Sequence, residues 1–350
     1  MAINMKFNQK INIEEQVIDN KSPTFVVAEA GVNHNGSFES AKKLIDIAKE
    51  SGVNAVKFQA FKTKELILSN VEKAPYQKAS TGNNISQFEM LKNLELTIEQ
   101  TKKLQEYAKS KGLIFLTTPF DEVSLEELDV LNLPAYKISS TDLTNLLFLE
   151  KVAKKKRPIF LSCGMSYLSE IGKALKTIYE YNKDVVLMHC TSNYPMSSNE
   201  ANLNVLNTLR KNFNILLGYS DHSEGEGVGP FTIPMGAKVI EKHFTLDKNM
   251  DGPDHKASLS PEELVSYVKK IREVETFLGS GTKEPTQSEK YTRKSLQKSL
   301  VASKKINVGD TFDKNNLVAK RTGGKGLSAI LINDIVGKKA KKNYEINDLI

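Results

Sequence analysis

Residues 237–255 read AKVIEKHFTLDKNMDGPDH. The first eight form an apolar run of strand character, and the rest a polar loop that ends near a Gly-Pro turn. Two of the chain's five histidines, His243 and His255, fall in this stretch. In a strand, Glu241 and His243 are two positions apart and share one face, while Lys242 points to the other. A carboxylate and an imidazole are thus aimed together at the place where a buried strand gives way to a loop.

Seven further runs of the same kind precede it: FVVAEAG (25–31), AVKFQAF (55–61), IFLTTPF (114–120), AYKISS (135–140), PIFLSCG (158–164), DVVLMHC (184–190) and ILLGYSD (215–221). Continuous apolar runs, not alternating ones, suit strands covered on both faces of a parallel sheet. Amphipathic helical stretches lie between them. The first spans about 37–51, with Ser37 as N-cap, Leu44, Ile45 and Ala48 on its apolar face and Gly52 as its stop. Eight strand-and-helix alternations predict an α/β fold of the (β/α)8 TIM-barrel type. The connection 62–96 is unusually long and polar, which predicts that it covers something.

The ends of the eight runs carry Glu29, Lys57 and Gln59, Thr118, Lys137 and Ser140, Ser162, His189, Ser220 with Asp221 and His222, and Glu241 with His243. In a barrel these ends converge on one face, where active sites of this fold lie. His222 and His243 are candidates to share a divalent ion; imidazole with carboxylate or water suits Mn²⁺, Zn²⁺ or Fe²⁺ alike. The lysines and hydroxyls form a donor-rich pocket suited to a phosphate or carboxylate.

The chain has 350 residues, 39% hydrophobic and 26% charged, the composition of a soluble globular protein. MAINMKFNQK at the N-terminus lacks the apolar core of a signal peptide, no apolar run approaches the roughly 18 residues of a membrane span, and only Cys163 and Cys190 are present. A cytoplasmic enzyme without membrane contact is the expectation. The net charge of +7 is confined to the tail: residues 283–350 hold 15 Lys and Arg against 7 Asp and Glu, whereas residues 1–282 hold 34 against 35. No interleaved aromatics or zinc spacing accompany it, so nucleic acid is not expected as a partner. The polar stretch 283–295, KEPTQSEKYTRKS, reads as an extended linker between a catalytic domain over 1–282 and a small domain over 296–350.

AEAGVNHNGS, VKFQAF, TTPF, AYKISS, HCTSNYP, GYSDHS, EKHFTLDKNMDGPDHKASL and KSLVASKKINVGDTFDKNNLVAKR, in that order over nearly the whole chain, resemble the bacterial sialic acid synthases. That resemblance implies a (β/α)8 barrel followed by a small β-rich antifreeze-like (SAF) domain, and condensation of phosphoenolpyruvate (PEP) with an N-acetylmannosamine-type sugar to a nine-carbon 2-keto acid. It implies Mn²⁺ on His222 and His243, with Mg²⁺ or Co²⁺ as alternates, and a domain-swapped homodimer. It places Lys57, Gln59, Thr118, Lys137, Ser140, Ser162 and Ser220 around PEP, Glu29, Tyr194 and Asp254 near the sugar, and Arg321 on the N-acetyl group from the partner subunit. His189 is expected to bind substrate, and Glu29 or Asp142 to move protons.

Three positions depart from the family pattern. Asp142 stands where a glutamate is usual, one methylene shorter; Cys163 replaces a threonine; and the loop after Arg321 lacks its proline. The expected product is N-acetylneuraminate, with N,N'-diacetyllegionaminate, made from a 6-deoxy diacetamido sugar, as the alternative. Pseudaminate fits the residues after EKHF less well. A metal-dependent sugar aldolase would share the barrel mouth but would not call for the C-terminal module, and an ice-binding surface would not carry so basic a tail.

Overall fold

The structure, a computed structural model, describes residues 5–74, 77–78, 81 and 85–350. The chain divides into two compact units, Met1–Gly279 and Ser280–Ile350.

The first unit is a closed barrel of eight parallel strands: β3 (Phe25–Gly31), β4 (Ala55–Ala60), β5 (Ile114–Pro119), β6 (Tyr136–Ile138), β7 (Ile159–Ser162), β8 (Val185–Cys190), β9 (Leu216–Asp221) and β10 (Ala237–His243). They pair in sequence order, and β10 closes on β3 with His243 opposite Glu29. All eight expected runs are strands. The first helix, Phe38–Glu50, starts at Ser37, whose side chain accepts from the Ser40 amide, and buries Ala41, Leu44, Ile45 and Ala48.

Alternate strand residues divide between two cores. Val26, Ala28, Val56, Phe115, Leu161 and Leu187 pack outward against the helices. Phe25, Val27, Ala55, Leu116, Phe160, Met188 and Val239 fill the barrel interior. That interior is completed by an antiparallel hairpin, β1 (Lys10–Ile13) and β2 (Gln16–Asp19), which the sequence reading did not include. Its Ile11, Ile13 and Ile18 belong to the same interior cluster, beside the first inward residues of the barrel strands. The hairpin therefore plugs the end where the strands begin and leaves the other end for a ligand.

In the second unit, β11 (Lys298–Ala302) and β12 (Leu317–Arg321) pair antiparallel. Ala302, Ile306, Phe312, Leu317, Ala340 and Tyr344 form its small core. The stretch expected as extended is not so: Gln287–Leu296 is a helix. Thr286 and Glu289 make a reciprocal capping box at its start, and this outweighs the lack of a buried face. Among the described residues no helix is long and apolar enough to cross a membrane.

Candidate active site

The C-terminal ends of the barrel strands open into a cavity of about 530 Å³, the size of a small-molecule site. Strand parity decides which residues reach it. Inward positions continue past the apolar layer as Glu29, Lys57, Gln59, Thr118, Lys137, Ser162, Cys190, Ser220, Glu241 and His243, all of which line the cavity. Ser140, Tyr194, His222 and Asp254 join them from the following loops.

Two lysines lie on the floor. The Lys57 ammonium is 2.6 Å from Glu29 Oε2 and 3.6 Å from Glu241 Oε1, and donates to Thr118 Oγ1 at 2.9 Å. Gln59 donates to the other Glu29 oxygen at 3.0 Å. Lys137 is 3.6 Å from Glu241 Oε1 and makes one long hydrogen bond, 3.4 Å, to the Ile138 carbonyl. Its donors are thus poorly used, and burial holds its pKa below the ordinary lysine value despite Glu241. Burial likewise raises Glu29, with Lys57 opposing and Glu241 reinforcing. Glu241 Oε2 is buried without a hydrogen-bond partner. The spare donors of Lys137 suit an anionic ligand, and the orphaned Glu241 oxygen calls for a hydrogen-bond donor or a cation beside it.

Hydroxyls and a backbone amide make the adjoining wall. Ser162 and Ser220 are hydrogen-bonded at 2.9 Å, and Ser140 Oγ accepts from the Gly164 amide at 2.9 Å.

The two histidines have ring centroids 5.5 Å apart, with Tyr194 tilted against His222 at 4.0 Å and edge-on to His243. His222 Nδ1 is bonded to the Thr191 carbonyl at 2.8 Å, which leaves Nε2 as a lone-pair donor. His243 Nδ1 is buried without a hydrogen-bond partner, 4.0 Å from Asp254 Oδ2. Burial and the nearby cationic groups hold His243 neutral, and burial raises Asp254 to about 6. Among the described residues no cluster of three or more His, Cys, Asp or Glu is arranged to hold a metal by itself. Burial opposes charge on His222, but Cys190, the Thr191 carbonyl and Glu241 together raise its pKa, so it gives up its proton only when an ion takes its place. Two imidazoles with a carboxylate nearby fit a divalent ion that completes its shell with water or ligand oxygen.

The rest of the lining is mostly apolar, with Gln77 and Gln87 among it. Phe61, Leu66 and Ile67 follow β4, and Met90, Leu91 and Leu94 come from the helix Gln87–Leu94. The long connection 62–96 therefore does border the cavity; its residues 75–76, 79–80 and 82–84 lie outside the described set.

Two expected residues, His189 and Asp142, do not line the cavity, and Arg321 belongs to the second unit, where it was expected. His189 is an outward position of β8: its Nε2 meets the Ala201 carbonyl at 2.9 Å and its ring packs on Tyr219. Cys190, the next residue, faces the cavity instead, 3.6 Å from His222 Nδ1. Asp142 is buried but does not line the cavity, although Ser139, Ser140 and Thr141 do. Its shorter side chain stays on its own turn, accepting from the Thr141 hydroxyl at 3.2 Å. Arg321 is exposed on β12 of the second unit, opposite Lys298. Cys190, Ser192 and Asn193 at the cavity were not anticipated; the register of β8 on β9, which sets Cys190 beside the inward-facing Ser220, selects Cys190 over His189.

A family model described as the NeuB family matches residues 44–283, and one described as the SAF domain matches residues 297–350. The N,N'-diacetyllegionaminic acid synthase of Campylobacter jejuni is 45% identical over 330 residues, 93% of this chain and 98% of the relative. That of Legionella pneumophila is 44% identical, covering 91% of each chain. Among solved structures, the N-acetylneuraminic acid (sialic acid) synthetase of Leptospira borgpetersenii superposes with a TM-score of 0.74 at 33% identity, covering 83% of this chain and 98% of that one. On the strength of these matches and the site they surround, the chain belongs to the NeuB family and carries a SAF domain at its C-terminus.

Proposed function

We propose that the chain condenses phosphoenolpyruvate with an N-acetylated amino sugar, and that the sugar is the 6-deoxy diacetamido precursor of N,N'-diacetyllegionaminate in preference to N-acetylmannosamine. The observation that carries the first part is the floor of the cavity, where Lys57 and Lys137 lie beside hydroxyl donors at the barrel's ligand-binding end. The sugar assignment is supported by the two relatives of that activity and by the apolar wall of Phe61, Leu66, Met90 and Leu94, which suits a methyl terminus better than a hydroxymethyl.

The residues divide the work as follows. Lys57 and Lys137 bind the phosphate and carboxylate of PEP, with Thr118, Ser140, Ser162 and Ser220 completing the anion's hydrogen bonds. Tyr194 and Asp254 orient the open-chain sugar so that its aldehyde carbon meets C3 of PEP. Bond formation there leaves positive charge at C2 and an alkoxide at the former aldehyde oxygen; water adds at C2, Glu29 takes its proton, and that proton is passed to the alkoxide, while the proton of the new C2 hydroxyl leaves with the phosphate. Cleavage of the C2–O bond then releases inorganic phosphate and leaves the 2-keto acid. His222 and His243 are the residues that would hold Mn²⁺, which supplies Lewis-acid polarisation of the sugar carbonyl. We further propose a two-fold homodimer in which Arg321 of each SAF domain reaches the sugar's N-acetyl group in the other subunit.

The test follows phosphate release from PEP with each sugar in the presence of Mn²⁺. A kcat/KM for the 6-deoxy diacetamido sugar at least about tenfold above that for N-acetylmannosamine is expected. Equal values sink the sugar assignment, and no release with either sugar sinks the condensation itself.

A further inference from the structure

Behind the strand ends that carry the two histidines lies a buried polar knot that the cavity chemistry leaves unused. Lys242 stands between Glu241 and His243 but points to the opposite side of β10, and is 1% exposed. Its ammonium donates to the Ser223 carbonyl and, at 3.3 Å, to the Ser223 hydroxyl, and lies 3.4 Å from Asp221 Oδ1. Asp221 is its direct neighbour across the β9–β10 ladder. Asp221 Oδ1 accepts from the Ser223 amide at 2.9 Å and from the Ser223 hydroxyl; Oδ2 accepts from the Gly229 amide at 2.9 Å and from Tyr267 OH at 3.1 Å.

Stability alone does not account for such a pair, because desolvation offsets most of what a buried ion pair contributes. Its placement does. Asp221 and Ser223 flank His222 on both sides, and Lys242 is joined to His243 by one peptide bond. Each contact in the knot thus fixes backbone immediately beside one histidine or the other.

The loop that follows is tightened around it. A Cβ on Gly227 would sit 1.7 Å from Ser223 Oγ, and one on Gly229 would sit 1.8 Å from Tyr267 OH. No larger residue fits at either position without displacing the knot. The backbone at the histidines is pinned elsewhere too: the Met196 amide donates to the His222 carbonyl and the Leu259 amide to the His243 carbonyl, both at 2.9 Å.

We propose that Lys242 and Asp221 are positioning residues, retained to fix the spacing of His222 and His243 for a divalent cation. The inference rests on the reading that these histidines hold such an ion. Residues behind metal ligands commonly change affinity by about 10- to 100-fold when removed.

The experiment titrates Mn²⁺ into the full-length protein and follows the free ion by electron paramagnetic resonance, without substrates, for the wild type, Lys242→Met and Tyr267→Phe. Melting temperatures of the metal-free proteins are measured alongside. Lys242→Met is expected to weaken Mn²⁺ binding about 10- to 100-fold, and Tyr267→Phe, which deletes one hydrogen bond to Asp221 and keeps the ring, about three- to tenfold. A merely structural role lowers the melting temperature and leaves the affinity of the folded protein unchanged, and wild-type affinity in both variants overturns the inference. Where Lys242→Met does not fold, Tyr267→Phe decides alone by the same criterion. A wild type that takes up no Mn²⁺ overturns the metal reading itself, and this inference with it.

Discussion

Glu29 and Asp142 are both buried carboxylates close to strand ends, yet their surroundings separate them. Glu29 lines the cavity, paired to Lys57 and hydrogen-bonded by Gln59; Asp142 faces its own turn. Glu29→Gln is therefore expected to lower kcat by about 10²- to 10⁴-fold, the usual worth of a general base, whereas Asp142→Asn stays within about tenfold of the wild type. Steady-state phosphate release measures both, and a larger loss in Asp142→Asn would return the proton-transfer role to that residue. Asp142 has a separate signature in stability. Burial raises its pKa from the ordinary 3.8 to about 6, so the folded chain holds a proton that the unfolded chain has released between those values. Its contribution to stability is complete below about pH 4 and is lost as pH rises through about 6, on the order of 2 to 3 kcal/mol. Urea unfolding at pH 4 to 7 should show Asp142→Asn with a flatter profile than the wild type and a relative gain at pH 7; parallel profiles would mean that the carboxyl is solvated. At the histidines, His222→Ala and His243→Ala should each abolish metal-dependent turnover with the far-ultraviolet circular dichroism unchanged, because both rings project into the cavity and not into the apolar core. Full turnover in chelator-treated wild type would remove the metal from the reaction.

Among the elements, the barrel strands were legible because burial on both faces makes each a continuous apolar run. The same continuity hid their parity. Nothing in DVVLMHC tells which of His189 and Cys190 points inward; only the ladder pairing does, and it places His189 against Ala201 and Cys190 at the cavity. The hairpin of β1 and β2 is not legible in the sequence, because two four-residue strands around Glu14 and Glu15 offer too few positions for a period to show. Its packing makes it far from incidental. Ile13 is fully buried in the barrel interior, so Ile13→Ala should cost about 2 to 5 kcal/mol in unfolding free energy, read from chemical denaturation. A cost under about 1 kcal/mol would show that the plug contributes little to holding that end closed. The helix Gln287–Leu296 did carry a legible signal, the Thr286-to-Glu289 capping box, but its lack of an apolar face argued the other way.

That helix bears on the molecule as a whole, because it shortens the tether to the SAF domain. Thirteen extended residues would reach at most roughly 45 Å, but ten helical residues rise only about 15 Å. With the seven residues of 280–286 extended, the span is at most about 40 Å, still enough for a small domain to reach a neighbouring subunit. Arg321 ends β12 on an exposed position, where its planar fork is free of the domain's small core. The proposed exchange predicts that Arg321→Ala raises the KM for the sugar with little change in the KM for PEP, and that residues 1–279 alone are nearly inactive. The sharper test combines two parents that are both nearly inactive at a sugar concentration well below the raised KM of Arg321→Ala. Arg321→Ala and His222→Ala subunits are mixed under conditions that exchange subunits, confirmed by mass. If each SAF domain serves the other subunit's barrel, a mixed dimer has one site with both defects and one site with neither, so each mixed dimer should have about half the activity of a wild-type dimer and an evenly exchanged mixture about a quarter. If each serves its own barrel, every site in the mixture keeps one defect and the mixture stays as inactive as its parents, which would rule out the exchange.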